Sequence, residues 1–262
     1  MSARATQVPP FTALAPIYER VGFADLALQT VRRYLAYALE QGWAGRRILD
    51  IGCRTGAASW WLAEQGYRVT GVDEVPALIK VASARLTTRE LTLNSAPEFV
   101  ECDLRALDTI PGPADLVLAM DGVLHAANSL RDLETILAGM YSLLDAGKGV
   151  IFDMETIGGL AASAAIDTVT LYDDPQELTV LAQPRFNFET LSRTTHLMIW
   201  QRAEGGWQRA DEVHSARGYP VQAIRTVLER CGFELHALLA PDMQPLDPAA
   251  DPPARVVFVA AK

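Results

Sequence analysis

Ile48-Leu49-Asp50-Ile51-Gly52-Cys53-Arg54-Thr55-Gly56 is a short apolar run that ends in a glycine-bearing turn. Arg47–Ile51 carries one carboxylate among aliphatic residues, the pattern of a buried strand in a parallel sheet. Ala57 to Gln65 suits a helix, and Gly66 suits its C-terminal cap. A strand that passes through such a turn into a helix is a ligand cradle. Glycine lets the backbone come close to a ligand, and the helix N-terminus presents free N–H groups. Tyr67–Asp73 is the next expected strand, and Asp73 falls at its tip. A carboxylate placed about 20 residues beyond the turn can accept both hydroxyls of a ribose.

The spacing inside the turn narrows the ligand. A dinucleotide GxGxxG starting at Gly52 needs glycine at 54 and 57, where this chain has Arg54 and Ala57. The pattern acid-x-G-x-G-x-G finds Asp50, Gly52 and Gly56 and misses only at Arg54. Strand, turn, helix and acid alone fit either a nicotinamide dinucleotide or an adenosyl ligand, and the glycine spacing counts against the first.

Working outward, strand and helix continue to alternate. Pro76 starts a helix expected to run to about Leu86, and Glu98–Cys102 and Ala114–Ala119 are strands. Ser129–Leu144 is an amphipathic helix stopped at Asp145-Ala146-Gly147, and Gly149–Met154 is a fifth strand. Such alternation implies a doubly wound, Rossmann-like α/β core with a mostly parallel seven-stranded sheet. Before it, residues 1–10 are expected as a flexible lead, and Phe11–Gly42 as a helical cover. After the fifth strand, residues 155–166 look loop-like. Segments 168–172, 178–183, 186–191, 193–201 and 207–215 then alternate in polarity, as in an antiparallel insertion. A helix at Val221–Cys231 and strands at Phe233–Leu239 and Arg255–Ala260 close the core, with a proline-rich loop at 241–253. The expected division is a cover at 1–44, a core at 45–154 and 219–262, and an insertion at 155–218.

The 262 residues, 50% of them hydrophobic, suffice for one large core. A net charge of −9 and a pI of about 5.0 disfavour nucleic acid as a partner. Cys53, Cys102 and Cys231 lack the spacing of a disulfide framework or a zinc site, so no metal is expected. There is no signal-peptide pattern and no run of about 18 apolar residues, so the expectation is a cytoplasmic protein without membrane contact.

Several segments together resemble the class I S-adenosylmethionine-dependent methyltransferases. LDIGCRTG (49–56) resembles their first motif, GYRVTGVDEVPALIKVA (66–82) the second strand and helix, and FVECDL (99–104) the third-strand motif. DLVLAMDGVLHAA (115–127) and GVIFDMET (149–156) resemble the fourth and fifth, and the likeness runs on to RVVFVAAK at the C-terminus. It leans toward small-molecule N-methyltransferases. The resemblance implies S-adenosylmethionine as methyl donor, S-adenosylhomocysteine as product and a small-molecule acceptor methylated on nitrogen or oxygen. It also implies residue roles: Asp50, Gly52, Cys53, Arg54 and Gly56 around the methionyl part, and Asp73 with Glu74 at the ribose. Asp103 and Leu104 would face the adenine edge, Met120 would pack beside the adenine or sulfonium, and Asp121 to His125 would floor the site. Tyr18, in PIYER, resembles a tyrosine that closes over the donor, and with His125 it is a candidate catalytic residue.

Within that frame, His125 is the candidate general base, because a neutral imidazole can take a proton from an amine or hydroxyl. The opposing reading is a histidine that only shapes the pocket. Arg54 either points to solvent, the reading favoured for an exposed arginine, or pairs with the donor's carboxylate. Tyr172, His214 and the insertion aromatics Phe186, Phe188, Trp200 and Trp207 are secondary candidates for a pocket lid or a homodimer face. The competing functions are a nicotinamide-dependent oxidoreductase and a non-catalytic protein that binds adenosyl ligands or dimerises.

Overall fold

The computed structural model describes residues 5–84, 96–247 and 251–262. The expected end of the third helix, near Leu86, lies outside the described residues. In chain order the elements are β1 (Ala5–Gln7), α1 (Phe23–Glu40), β2 (Arg47–Ile51), α2 (Ala57–Glu64), β3 (Arg68–Asp73), α3 (Pro76–Ala84), β4 (Glu98–Glu101) and β5 (Ala114–Ala119). They continue with α4 (Leu130–Leu143), β6 (Leu144–Glu155), α5 (Ile157–Ser163), β7 (Val169–Asp174), β8 (Leu178–Asn187), β9 (Ser192–Ala203) and β10 (Gly206–Arg217). The last three are α6 (Val221–Arg230), β11 (Glu234–Leu239) and β12 (Arg255–Ala261).

Seven strands form the main sheet in the order β11-β12-β6-β5-β2-β3-β4. Strands β2 to β6 pair in parallel, while β12 runs antiparallel to both β6 and β11. The strand order reverses between β2 and β5, and helices leave on opposite sides there. In open α/β sheets this reversal opens a crevice beyond the carboxyl ends of the strands. Two apolar layers sandwich the sheet. One includes Val117, Leu137, Phe152, Leu228 and Phe258, and the other includes Val31, Tyr34, Ile48, Leu62 and Val257. Phe152 and Phe258 face each other in register and stack at 4.8 Å. Truncating either buried ring to alanine would cost about 3–5 kcal/mol.

The second sheet has the order β1-β10-β9-β8-β7. Its inner face carries Leu178, Val180, Ala182, Leu197 and Ile199, one side of each strand's alternation. Leu14, Ala15, Ile17 and Tyr18 fill the space between this face and Ala57 and Leu78 of the core. The N-terminal segment and the insertion therefore roof the crevice together. The insertion's inner apolar face is covered by its own chain; of its exposed large apolar residues, Val213 lies on β10 and Phe188 in the turn between β8 and β9.

Several segments differ from the sequence expectation, beginning with residues 11–22, where turns and a short 3-10 helix at Ala15–Ile17 stand in place of the expected helix. The presumed flexible lead contains β1, which pairs in parallel with Arg209–Asp211 of β10. Three exposed residues carry no periodicity, so only the partner strand defines them. Residues 157–163, expected as a loop, form α5, capped by the Thr156 hydroxyl on Gly159 N–H at 3.0 Å. Its glycines weaken the helix signal, but Gly159 lies where a Cβ would strike the Ala254 backbone. Residues 178–183 and 186–191, expected as two strands, instead give one, β8, unbroken from Leu178 to Asn187, and 188–191 form the turn into β9.

Candidate functional site

The β2–α2 turn is built on left-handed backbone. Gly52, Arg54 and Gly56 have φ of 69°, 54° and 75°. A Cβ on Gly52 would collide with Val123, so glycine is required there by conformation and by space. Arg54 accepts a geometry that disfavours a β-carbon by about 1–2 kcal/mol. Two features hold it. Its N–H donates to Asp73 Oδ2 at 2.9 Å, and its guanidinium lies over the Phe11 ring at 5.4 Å.

Arg54 does not point to solvent. Its side chain lies inside the crevice among Tyr18, Asp73 and Asp121; burial opposes its charge, and the two carboxylates outweigh that penalty and hold the guanidinium protonated. Asp73 also accepts from Val75 N–H at 3.0 Å, and it is buried at the tip of β3 as expected. Burial pushes its carboxyl above the ordinary range although Arg54 opposes the shift.

Below the turn, Asp50 is buried and accepts from the Ser59 hydroxyl at 2.6 Å. Desolvation moves its pKa up to about 7. Cys53 is buried beside it, and burial raises the thiol far above its usual value. Together with Tyr18, Thr55 and Met120 these residues enclose a small cavity of about 10 Å³. The Thr55 hydroxyl in this lining is buried with no hydrogen-bond partner. An orphaned polar atom of this kind is expected where a ligand supplies the missing partner. Tyr18 stacks on Phe23 at 5.3 Å.

Opposite the turn, the end of β5 makes a second left-handed corner, with Asp121 at φ 55° and Gly122 at φ 67°. Asp153, 1% exposed, shapes it. Its carboxylate accepts from Asp121 N–H at 2.9 Å, Gly122 N–H at 3.0 Å and the Tyr34 hydroxyl at 2.8 Å, and it pairs with Arg255. Asp121 accepts from the Thr30 hydroxyl at 3.2 Å; desolvation, then Asp153, raises its pKa to about 6. Sequence reasoning passed over Asp153. Its signal is a lone carboxylate inside the apolar run of β6.

The remaining expected residues divide. Leu104, Glu74 and Asp103 line the crevice. Asp103 faces it while held in a two-bond ion pair with Arg105, at 2.6 and 2.9 Å, which lowers its pKa. Met120 lies in the core layer behind the turn and borders only the small cavity, so it does not flank the open crevice. His125 is corrected as a base. Its Nδ1 is 2.7 Å from the Arg217 carbonyl oxygen, and its Nε2 accepts from Glu155 N–H at 2.8 Å. Both nitrogens are spent on backbone, and burial lowers its pKa. It is a buried strut joining β6 to β10. Tyr172 stands outside the crevice, in contact with Arg20 on the surface.

The open crevice has a volume of about 820 Å³. One wall is the β2–α2 turn with Asp73 and Leu104. The other is the roof: Phe11, Arg193, His214, Ser215 and Ala216, with Glu155 at the end of β6. Arg193 forms a bidentate pair with Glu155 at 2.9 and 3.1 Å. Among the described residues, no group of three or more His, Cys, Asp or Glu is placed to hold a metal ion, and no helix is long and apolar enough to cross a membrane.

A glycine turn, a buried carboxylate at a strand tip and a crevice at the sheet's reversal together make an α/β cradle suited to an adenosyl ligand. Residues 48–147 match the methyltransferase domain family. YqeM of Bacillus subtilis (strain 168), provisionally classed as a methyltransferase, is 26% identical over 82% of this chain and 84% of its own. A Clostridium acetobutylicum S-adenosylmethionine-dependent methyltransferase superposes with a TM-score of 0.79 at 17% identity, covering 96% of this chain and 98% of that one. The sugar N-methyltransferase KedS8 from Streptoalloteichus has a TM-score of 0.72 at 18% identity, covering 100% and 96%. Residues 48–147 thus form a methyltransferase domain, and the chain is an S-adenosylmethionine-dependent methyltransferase.

Proposed function

We propose that this enzyme methylates nitrogen or oxygen of a small molecule bound between the β2–α2 turn and the insertion. The observation that carries the reading is the crevice itself: one wall matches the donor's needs, and the other brings polar side chains from β6, β9 and β10 to the same space. S-adenosylmethionine supplies an electrophilic methyl on a sulfonium. The residues present fit it: the glycine cradle, the unpartnered Thr55 hydroxyl and the strand-end Asp73.

In this reading Asp73, with Glu74 beside it, accepts from the ribose hydroxyls, and Asp103 and Leu104 face the adenine edge. Gly52, Cys53 and Gly56 let the turn wrap the methionyl part. Arg54 pairs with its carboxylate, while Asp50 and Asp121 receive its ammonium, and Tyr18 and Met120 close the space behind. The chain's work is alignment and exclusion of water by the roof, so that nucleophile and methyl meet in line. The overall likeness to a sugar N-methyltransferase supports a small acceptor and leaves nitrogen and oxygen both open.

A screen of phenols, amino sugars and other primary amines, read as adenosylhomocysteine release, tests the function. Turnover of one class with donor binding in calorimetry is the expected result. Binding of NADH in place of adenosylmethionine would overturn it.

A further inference from the structure

The roof contains a second histidine in a different electrostatic setting from His125. Glu212 on β10 is 0% exposed. Its carboxylate accepts from Ala13 N–H at 2.6 Å, Phe11 N–H at 2.8 Å and Leu14 N–H at 3.0 Å. Its Oε2 also lies 2.8 Å from His214 Nε2, two residues along the same face of the strand. Burial alone would raise the Glu212 pKa; the bonds from His214 and the three backbone N–H groups outweigh it and hold the carboxyl below its ordinary range. An ionised carboxylate only accepts hydrogen bonds, so the His214 proton sits on Nε2. Nδ1 of the neutral ring then carries a lone pair. Among the described residues nothing hydrogen-bonds to it, and the ring lines the open crevice, packed edge-on against Phe11 at 4.5 Å.

We propose that His214 is the general base of the transfer, with Glu212 as its positioning residue. The inference rests on the methyltransferase reading of the crevice. As the acceptor's nitrogen or oxygen bonds to the methyl carbon, the carbon–sulfur bond breaks and its electron pair stays on sulfur. The acceptor's proton passes to His214 Nδ1. The imidazolium so formed is balanced by Glu212. The same carboxylate pins residues 11–14 onto β10, so the base is oriented only when the N-terminal segment is in place over the crevice. Other charged groups lining this space are Arg54 and Asp121 from the turns, Asp73, Glu74, Glu101 and Asp103 at the ends of β3 and β4, Arg193 from β9 and Glu155 from β6.

The test joins ring NMR with binding and turnover. The chain has four histidines, so H214Q identifies one ring in long-range nitrogen spectra of the ¹⁵N-labelled protein. With adenosylhomocysteine bound, His214 is expected as the Nε2–H tautomer with a bare Nδ1. H214Q should bind adenosylmethionine within about twofold of wild type and lose on the order of 10²-fold in kcat with the phenol or amine that the wild type methylates. Added imidazole should restore part of the loss in H214A. E212Q should weaken the tautomer preference; because Glu212 also pins the roof, H214Q remains the deciding variant. A proton on Nδ1, or full turnover by H214Q, overturns the proposal. Failure of the wild type to bind adenosylmethionine would instead overturn the function beneath it.

Discussion

The two walls of the crevice are made differently. The donor wall is mostly backbone: left-handed residues at 52, 54 and 56, strand ends, and the buried carboxylate of Asp73 at the tip of β3. The roof wall is made of side-chain bonds that cross the sequence, such as Glu155 with Arg193 and Glu212 with the N–H groups of Phe11, Ala13 and Leu14. Backbone geometry leaves a spacing of glycines in the sequence. A pair that closes over about two hundred residues leaves no local trace.

The largest expected effect is on the donor wall. Asp73→Ala removes a carboxylate that orders both Arg54 N–H and Val75 N–H, besides its proposed ribose contacts. Loss of charged hydrogen bonds worth about 1.5–3 kcal/mol each should weaken adenosylmethionine binding at least 100-fold. Calorimetry checks it, and binding within threefold of wild type would remove Asp73 from the site. Arg193→Ala should leave donor affinity within about twofold, because it strips only the roof. A large loss there would mean that the two walls are not separable.

Arg54→Gly sharpens the contrast at the one residue where the donor wall departs from glycine. It relieves a left-handed strain of about 1–2 kcal/mol and removes the only side-chain cation in the turn. The melting temperature should stay the same or rise. Adenosylmethionine should bind roughly tenfold more weakly, consistent with one charge-assisted pair of about 1.5 kcal/mol. Methylthioadenosine, which lacks the methionyl carboxylate, should bind both proteins alike. Equal weakening for both ligands would contradict the pairing.

The smallest effect is in protons. Asp50 and Asp121 titrate near 7 and 6 in the folded chain, raised first by desolvation, against about 3.9 for an unfolded aspartate. Between about pH 4 and 7 the folded state holds protons that the unfolded state has lost. These two groups therefore favour folding at low pH, and their contribution fades as pH rises through 6 and 7. A cationic donor favours the ionised carboxylates, so its binding should release protons below pH 7 and tighten as pH rises. Titrations in two buffers of different ionisation enthalpy measure this release, and D121N should reduce it.

The same contrast explains what was legible in the sequence. The bounds of β2, β3 and β5, and the place of Asp73 at a strand tip, follow from apolar runs punctuated by glycine. The inward turn of Arg54 was not legible, because it depends on Phe11, Tyr18 and Asp121 arriving from distant segments. His125 drew attention by its position after the fourth-strand motif, yet the backbone of β6 and β10 occupies both its nitrogens. His214 and Glu212 differ from neighbouring charged residues only by which face of β10 they occupy, and that face is set by the N-terminal segment lying on it.

A crystal structure with adenosylhomocysteine bound tests the donor wall most directly. The ribose hydroxyls should lie on Asp73, the methionyl carboxylate on Arg54 and a polar ligand atom within reach of the Thr55 hydroxyl. A ligand lodged elsewhere in the crevice, or Arg54 turned out to solvent with the ligand in place, would contradict it.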